Sequence, residues 1–266
     1  MLRTGTMIVV LMTSVPILAQ ESPDGDEKSG RLRAMAKLAG AVEVGEGRLS
    51  PRLRAEPIFR YDDPPRGIQD ATLWVWEADG RPVAAMKVER YPSQPPRARW
   101  VEGLVTLGDG MVSASWPDGL KWEARASGAD RRAIPAAPAP AATASARLAQ
   151  MKALARRFEA YEVDGPKRGR LQLRLLATPI HRFAGAGHGL IDGAVFVLAY
   201  GTNPEVLLIV EARRGDSGGA SWSYRLARLG GAEASASLDG KEVWSVPYCL
   251  VPADQPTYTN RFVPGS

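Results

Sequence analysis

Two glutamates, Glu89 and Glu211, and two arginines, Arg60 and Arg182, occupy matching places in two apolar stretches that lie 122 residues apart. A pair of carboxylates can divide general acid and general base work between them. The same spacing relates Arg48 to Arg170, Arg52 to Arg174 and Asp70 to Asp192. Ion-pair networks are the competing explanation for such charges. The Arg and Glu residues suit cross-strand pairs, and each Asp suits a turn cap ahead of a hairpin. Trp74 and Trp76 share one face of a strand and form the candidate aromatic platform, with burial in a core as the alternative. The candidate binding residues are therefore Arg60, Arg182, Glu89, Glu211, Trp74 and Trp76, and no catalytic residue is assigned.

Gly215-Asp216-Ser217-Gly218-Gly219 resembles the nucleophile motif of trypsin-like serine proteases, in which the Ser attacks and backbone amides stabilise the oxyanion. That family also needs a base His far upstream, a buried Asp and paired cysteines. Here the only histidines are His181 and His188, and Cys249 is the single cysteine. The same region of the first stretch holds Pro92-Ser93-Gln94-Pro95-Pro96, so the segment reads as a loop between strands. His181 and His188 sit on a strand and a Gly-rich loop without further Cys or His to complete a metal shell. No P-loop, Rossmann fingerprint or GxSxG elbow occurs, so neither metal nor cofactor is expected.

What must position the polar pairs is a repeat. Shifted by 122, Gly47–Trp122 aligns with Gly169–Trp244 without a gap, with 24 identities in 76 positions. Average residue usage would give on the order of 6, so the match points to a tandem duplication. Each copy opens on a helical stripe. Leu32, Met35, Leu38, Ala39 and Val42 form the first, and Leu148, Met151, Leu154, Ala155, Phe158 and Tyr161 the second, behind the possible cap Ser145. Extended segments follow at Arg52–Tyr61 and Arg174–Phe183, each with Ala-x-Pro-Ile, whose proline suits an edge or a strand start. Then come long hairpins turning at Asp79-Gly80 and at Gly201-Thr202, and shorter strands after them. The predicted fold class is α+β: two repeats, each one helix plus an antiparallel sheet of about five or six strands.

The hairpin return strands differ between copies. Ala84, Met86 and Val88 alternate with Ala85, Lys87 and Glu89 in the first, whereas Leu207 and Ile209 make both faces largely apolar in the second. A strand apolar on both sides is usually covered on both, so the second sheet is expected to pack against the first copy. The expected boundaries are a signal peptide at 1–19, a disordered lead-in at 20–30, repeat 1 at 31–126, a Pro/Ala linker at 127–146, repeat 2 at 147–251 and an irregular tail at 252–266.

Arg3, the apolar run Met7–Val15 and Ile17-Leu18-Ala19 carry the signal-peptide pattern, with an apolar run shorter than a membrane span. Its removal takes one positive charge from a formal net charge of +5. The remaining charge is spread without a polybasic run, which suits weak attraction to an acidic polymer or envelope surface and not nucleic-acid recognition. A lone Cys249 forms no internal disulfide, so the cores must hold the fold. The runs Arg170–Ile180, Leu190–Phe196 and Gly201–Glu211 resemble exported bacterial proteins without described activity, and that resemblance implies export but no site. The expected function is a non-catalytic exported protein, periplasmic or secreted, that binds a protein or envelope component. The alternative is a small-ligand binder or enzyme with a site between the repeats.

Overall fold

Alternation along the hairpins sets the layers. Met86 and Trp74 face one way with Met35 and Ala39 of the first helix, while Ala85 and Val75 face the other way with Val195 and Leu207. The structure is a computed structural model that describes residues 23–92, 99–128, 130–163, 169–185, 189–215 and 218–264. The predicted signal peptide, His188, Asp216 and Ser217 lie outside these residues.

The first half comprises α1 (Pro23–Gly40), β1 (Glu43–Glu46), β2 (Arg52–Leu53), β3 (Phe59–Asp63), β4 (Ile68–Ala78), β5 (Arg81–Tyr91), β6 (Arg99–Thr106), β7 (Val112–Ser115) and β8 (Lys121–Glu123). After β9 (Arg132–Ala133) the second half runs α2 (Ala144–Ala155), β10 (Phe158–Val163), β11 (Leu171–Leu175), β12 (His181–Phe183), β13 (Leu190–Tyr200), β14 (Asn203–Arg214), β15 (Ala220–Arg228), β16 (Glu233–Leu238) and β17 (Lys241–Val246). The described chain closes with β18 (Ala253–Asp254) and β19 (Tyr258–Pro264). It is mostly β, with two helices and antiparallel sheets.

One sheet has the order β18-β19-β6-β5-β4-β2 with β3 beside β4, and β1-β7-β8 form a small separate sheet. The other is continuous, β17-β16-β10-β11-β13-β14-β15-β9, with β12 beside β13. Pairing across the long hairpins recurs at the 122-residue shift: Thr72 faces Val88 as Ala194 faces Val210, and the register slips at Trp76/Glu77 and again at Leu198/Ala199. The prolines of both Ala-x-Pro-Ile segments fall in the breaks between β2 and β3 and between β11 and β12, where a missing amide donor costs no ladder bond.

Three apolar clusters stack across these layers. α1 covers one face of the first sheet, α2 one face of the second, and the remaining faces pack on each other. Leu207 is fully buried in that middle layer, as its two-sided apolar strand predicts. The tip of the first hairpin also crosses to the second half. Asp79 and Gly80 both take positive φ, and a Cβ on Gly80 would come within 2.6 Å of the Ala184 carbonyl oxygen. Only glycine meets both demands at that position.

Several expectations are corrected. The lead-in is not disordered throughout, because α1 already begins at Pro23. The second helix ends at Ala155, and Phe158 and Tyr161 belong to β10, where Phe158, Ala160 and Glu162 alternate into the interior. Period two wins there over the helical reading because the run is aromatic-rich and pairs with β16. The strands are more numerous than five or six per half. The linker is not without a core role: Ile134 is buried against the α2 layer and β9 pairs with β15. Nor is the tail irregular, since β19 pairs with β6 along its length. Both segments cover sheet edges that would otherwise expose unpaired backbone groups.

The N-cap of α2 is Thr143, whose hydroxyl accepts the Ala146 amide at 3.2 Å, and not Ser145. Thr143→Ala is expected to cost about 1 kcal/mol in urea unfolding, with Ser145→Ala near neutral.

Candidate functional site

The charges that recur in both halves divide into three settings. Arg60 grips Asp70 through Nε at 2.9 Å and Nη2 at 2.6 Å, Arg31 adds a bond at 3.0 Å, and Arg60 also donates to the Lys28 carbonyl. Arg182, Asp192, Arg147 and the Ala144 carbonyl repeat this arrangement in the second half. Both clusters pin a helix to its sheet. Burial opposes ionisation of Asp70 and Asp192, but two guanidiniums on each outweigh it and hold both carboxyls below the usual range. Arg60 and Arg182 are thus engaged within the fold, and the two aspartates are buried ion-pair partners where turn caps were expected. Trp74 and Trp76, each 2% exposed, lie beneath α1 and form no surface platform.

Glu211 lies in the second setting, at one edge of the layer between the sheets. It accepts Arg131 Nε at 3.2 Å and sits near Arg213 and Arg225, while Arg225 and Arg131 also reach Asp109. Arg225 Nη1 donates to the Leu107 carbonyl at 2.8 Å, so a buried guanidinium fills this edge.

Glu89 lies in the third setting, a cleft of about 400 Å³ between the halves. Strand β5 brings Lys87 and Glu89 to the same inward face. Lys87 Nζ donates to Asn203 Oδ1 at 2.8 Å and the Pro204 carbonyl at 3.0 Å, and pairs with Glu89 at 3.1 Å. Tyr61 donates to Glu89 Oε1 at 2.7 Å, and Tyr91 to its Oε2 at 3.2 Å. Burial, then the Glu89 charge, pushes both phenols up, so they stay neutral donors. Across the cleft Asn203 Nδ2 donates to Glu205 Oε1 at 2.7 Å. Arg66 bonds Glu205 Oε1 and Glu162, and stacks over the Tyr200 ring at 4.6 Å.

The cleft exists because β6 carries Gly103 there: a Cβ would come within 2.8 Å of Tyr258 Oη, which β19 lays across it. Buried Arg228 shapes the opposite wall by donating to the carbonyls of Gly230, Ala232 and Pro247. Phe262, Val101, Val251 and Leu229 supply apolar lining.

Burial, reinforced by Glu162 and Glu89 and opposed by Lys87 and Arg66, pushes the Glu205 carboxyl up to about 7. A carboxyl raised from 4.5 binds more protons folded than unfolded, so stability should fall as pH rises from about 4.5 to about 7. Glu205→Gln is expected to remove that fall, read as the difference between urea midpoints at pH 5 and pH 8. An unchanged pH slope in the variant would refute the assignment.

Of the six candidates only Glu89 reaches the cleft. Lys87, Glu205, Asn203, Arg66, Tyr61, Tyr91 and Tyr258 were not singled out. The available signal was difference between the halves: at the 122-residue shift Lys87 stands opposite Ile209, Tyr61 opposite Phe183 and Gly103 opposite Arg225. Elsewhere His181 Nε2 lies 2.7 Å from Glu77, and burial lowers its pKa. Cys249 is a buried free thiol. Among the described residues no group of three or more His, Cys, Asp or Glu is placed to hold a metal ion, and no helix is long and apolar enough to cross a membrane. Comparison with protein-family models, curated proteins and solved structures finds no match.

Proposed function

We propose that this is a non-catalytic exported binding protein, built by tandem duplication, that holds a small polar ligand in the cleft between its two halves. The observation that carries the binding reading is the cleft itself: about 400 Å³, with the deeply buried polar groups Glu205, Asn203 and Lys87 converging on it. Concave sites lined by apolar groups with a few fixed polar ones are the usual form of small-ligand pockets. Binding is favoured over catalysis because Lys87 Nζ is engaged by Asn203, the Pro204 carbonyl and Glu89, which ties it into the cleft wall. An envelope-protein interface built on Arg60 and Arg182 has less support, since both guanidiniums serve the helix clamps.

The duplication is supported by the recurring strand register and by the two matching clamps. Export rests on the pattern around Arg3 and Met7–Val15 and on the resemblance of the second half to exported bacterial proteins. Mass spectrometry of the protein from its host should find a mature terminus after Ala19.

The binding reading is tested by a thermal-shift screen of the full chain against small polar metabolites, beside Ala232→Trp. Ala232 is a half-buried cleft residue, so the variant narrows the cleft without touching its floor. At least one compound should raise the parent's midpoint by several degrees and leave the variant unmoved. A screen in which no compound separates the two proteins rejects the reading.

A further inference from the structure

The two edges of the inter-sheet layer are matched in position but not in content. At the 122-residue shift Glu89 corresponds to Glu211, Gly103 to Arg225 and Leu107 to Leu229. On the Glu211 edge the Arg225 guanidinium lies beside the carboxylate and bonds the Leu107 carbonyl. On the Glu89 edge the matching backbone is Gly103, Leu229 lines the cleft, and no side chain can extend from position 103 into that space.

The charges follow the same difference. The filled edge holds Arg131, Arg213 and Arg225 against Asp109 and Glu211. Around the cleft Arg66, Lys87 and wall residue Arg228 stand against Asp63, Glu89, Glu162 and Glu205, and the Arg99 guanidinium lies over the Phe262 ring at 4.9 Å. The first three are engaged: Arg66 Nη1 and Nη2 serve Glu205 and Glu162, Lys87 serves Asn203, Pro204 and Glu89, and Arg228 serves the carbonyls of Gly230, Ala232 and Pro247. Acceptors are in surplus. Glu205 is 6% exposed and takes both its hydrogen bonds at Oε1, which leaves Oε2 with none among the described residues. Glu89 Oε2 takes only the Tyr91 hydroxyl.

We propose that the cleft binds an organic cation, its guanidinium or primary ammonium head seated against Glu205 Oε2 and Glu89 and its apolar portion against Phe262 and Val101. The proposal rests on the binding reading above and names the class of ligand. The head would stand on the Glu89 edge as the Arg225 guanidinium stands on the other, and it would supply the donors that the cleft's carboxylates lack. A charge-assisted hydrogen bond of this kind is worth roughly 1.5–3 kcal/mol, or about tenfold to a hundredfold in affinity.

The test is calorimetric titration of the full chain at pH 7 with agmatine, butylamine, butanol and butyrate, in two buffers of different ionisation enthalpy. The group whose protonation is followed is Glu205, faced by Lys87 and Glu89 from β5, Arg66 from the turn after β3 and Glu162 from β10. Agmatine and butylamine should bind and release protons, because a cation favours the ionised carboxyl. Butanol and butyrate should not bind. Glu205→Gln should weaken agmatine at least tenfold and abolish proton release, and Ala232→Trp should prevent binding. Butyrate binding with the cations silent would overturn the class and leave the binding reading standing. Cation affinity unchanged in both variants would place binding outside the cleft and overturn the proposal. If none of the four probes binds by 10 mM, the proposal fails on its own terms, and the metabolite screen decides the wider reading.

Discussion

Lysine in place of Leu207 is expected to leave the chain without a folded state. Leu207 is fully buried at the centre of the layer between the sheets, among Val195, Val197 and Leu73. The substitution deletes a buried aliphatic side chain, at about 2–5 kcal/mol for its loss alone, and puts an ammonium into an apolar layer. Total stabilities of about 5–15 kcal/mol leave little after both terms. Leu207→Met keeps volume and polarity and should cost less than about 1.5 kcal/mol. Circular dichroism melts of the two variants check this. A lysine variant that melts within a few degrees of the parent would mean that the halves do not pack through these faces.

Asp192→Asn should be the most damaging change among the polar residues. The carboxylate is buried and receives a two-point grip from Arg182 and a third bond from Arg147 of α2. Removing one partner of a buried ion pair leaves the other uncompensated, at about 3–5 kcal/mol. The lower end applies here because Arg182 retains access to water. The sign of the pH dependence follows from the depressed carboxyl. Its contribution is fully present above the ordinary value of 3.8 and is lost as pH falls through the lower folded value. The gap between parent and variant in urea unfolding should therefore be constant from pH 5 to pH 8 and close only in stronger acid. Asp70→Asn should behave alike. A gap that narrows with rising pH would contradict the clamp.

The clamps also show what could be read in advance. Arg60, Arg182, Asp70 and Asp192 stand out because both halves keep them, and these four are scaffold, whereas Glu89, kept as well, reaches the cleft. Most of the cleft's polar groups differ between the halves, so a search for matching residues passes over Lys87, Gly103 and Glu205. Periodicity placed the long hairpins and their buried faces well, since eleven or twelve alternating residues leave little ambiguity. It failed at Phe158–Val163, where an aromatic strand follows a helix almost directly and continues its apolar spacing for one more turn. Glu162, one residue past that stripe, carries no local sign that β10 turns it into a buried pair with Arg66. The roles of residues 127–146 and 252–266 lay beyond local reading, since their partners are sheet edges in the opposite half.

Those two edge strands set a temporal order. β9 comes from the segment between the halves and closes the second sheet, whereas β19 follows the second half and closes the first. On a chain made from its N-terminus, β6 has its pairing edge open while more than a hundred further residues are synthesised. Tyr258, which caps Gly103 and finishes the inter-sheet layer, arrives with the same late strand. The first half therefore cannot mature as an independent early unit, although N-terminal domains commonly do so during synthesis. A nascent chain released short of β19 would carry an unpaired strand beside uncovered apolar surface, the combination that recruits other chains.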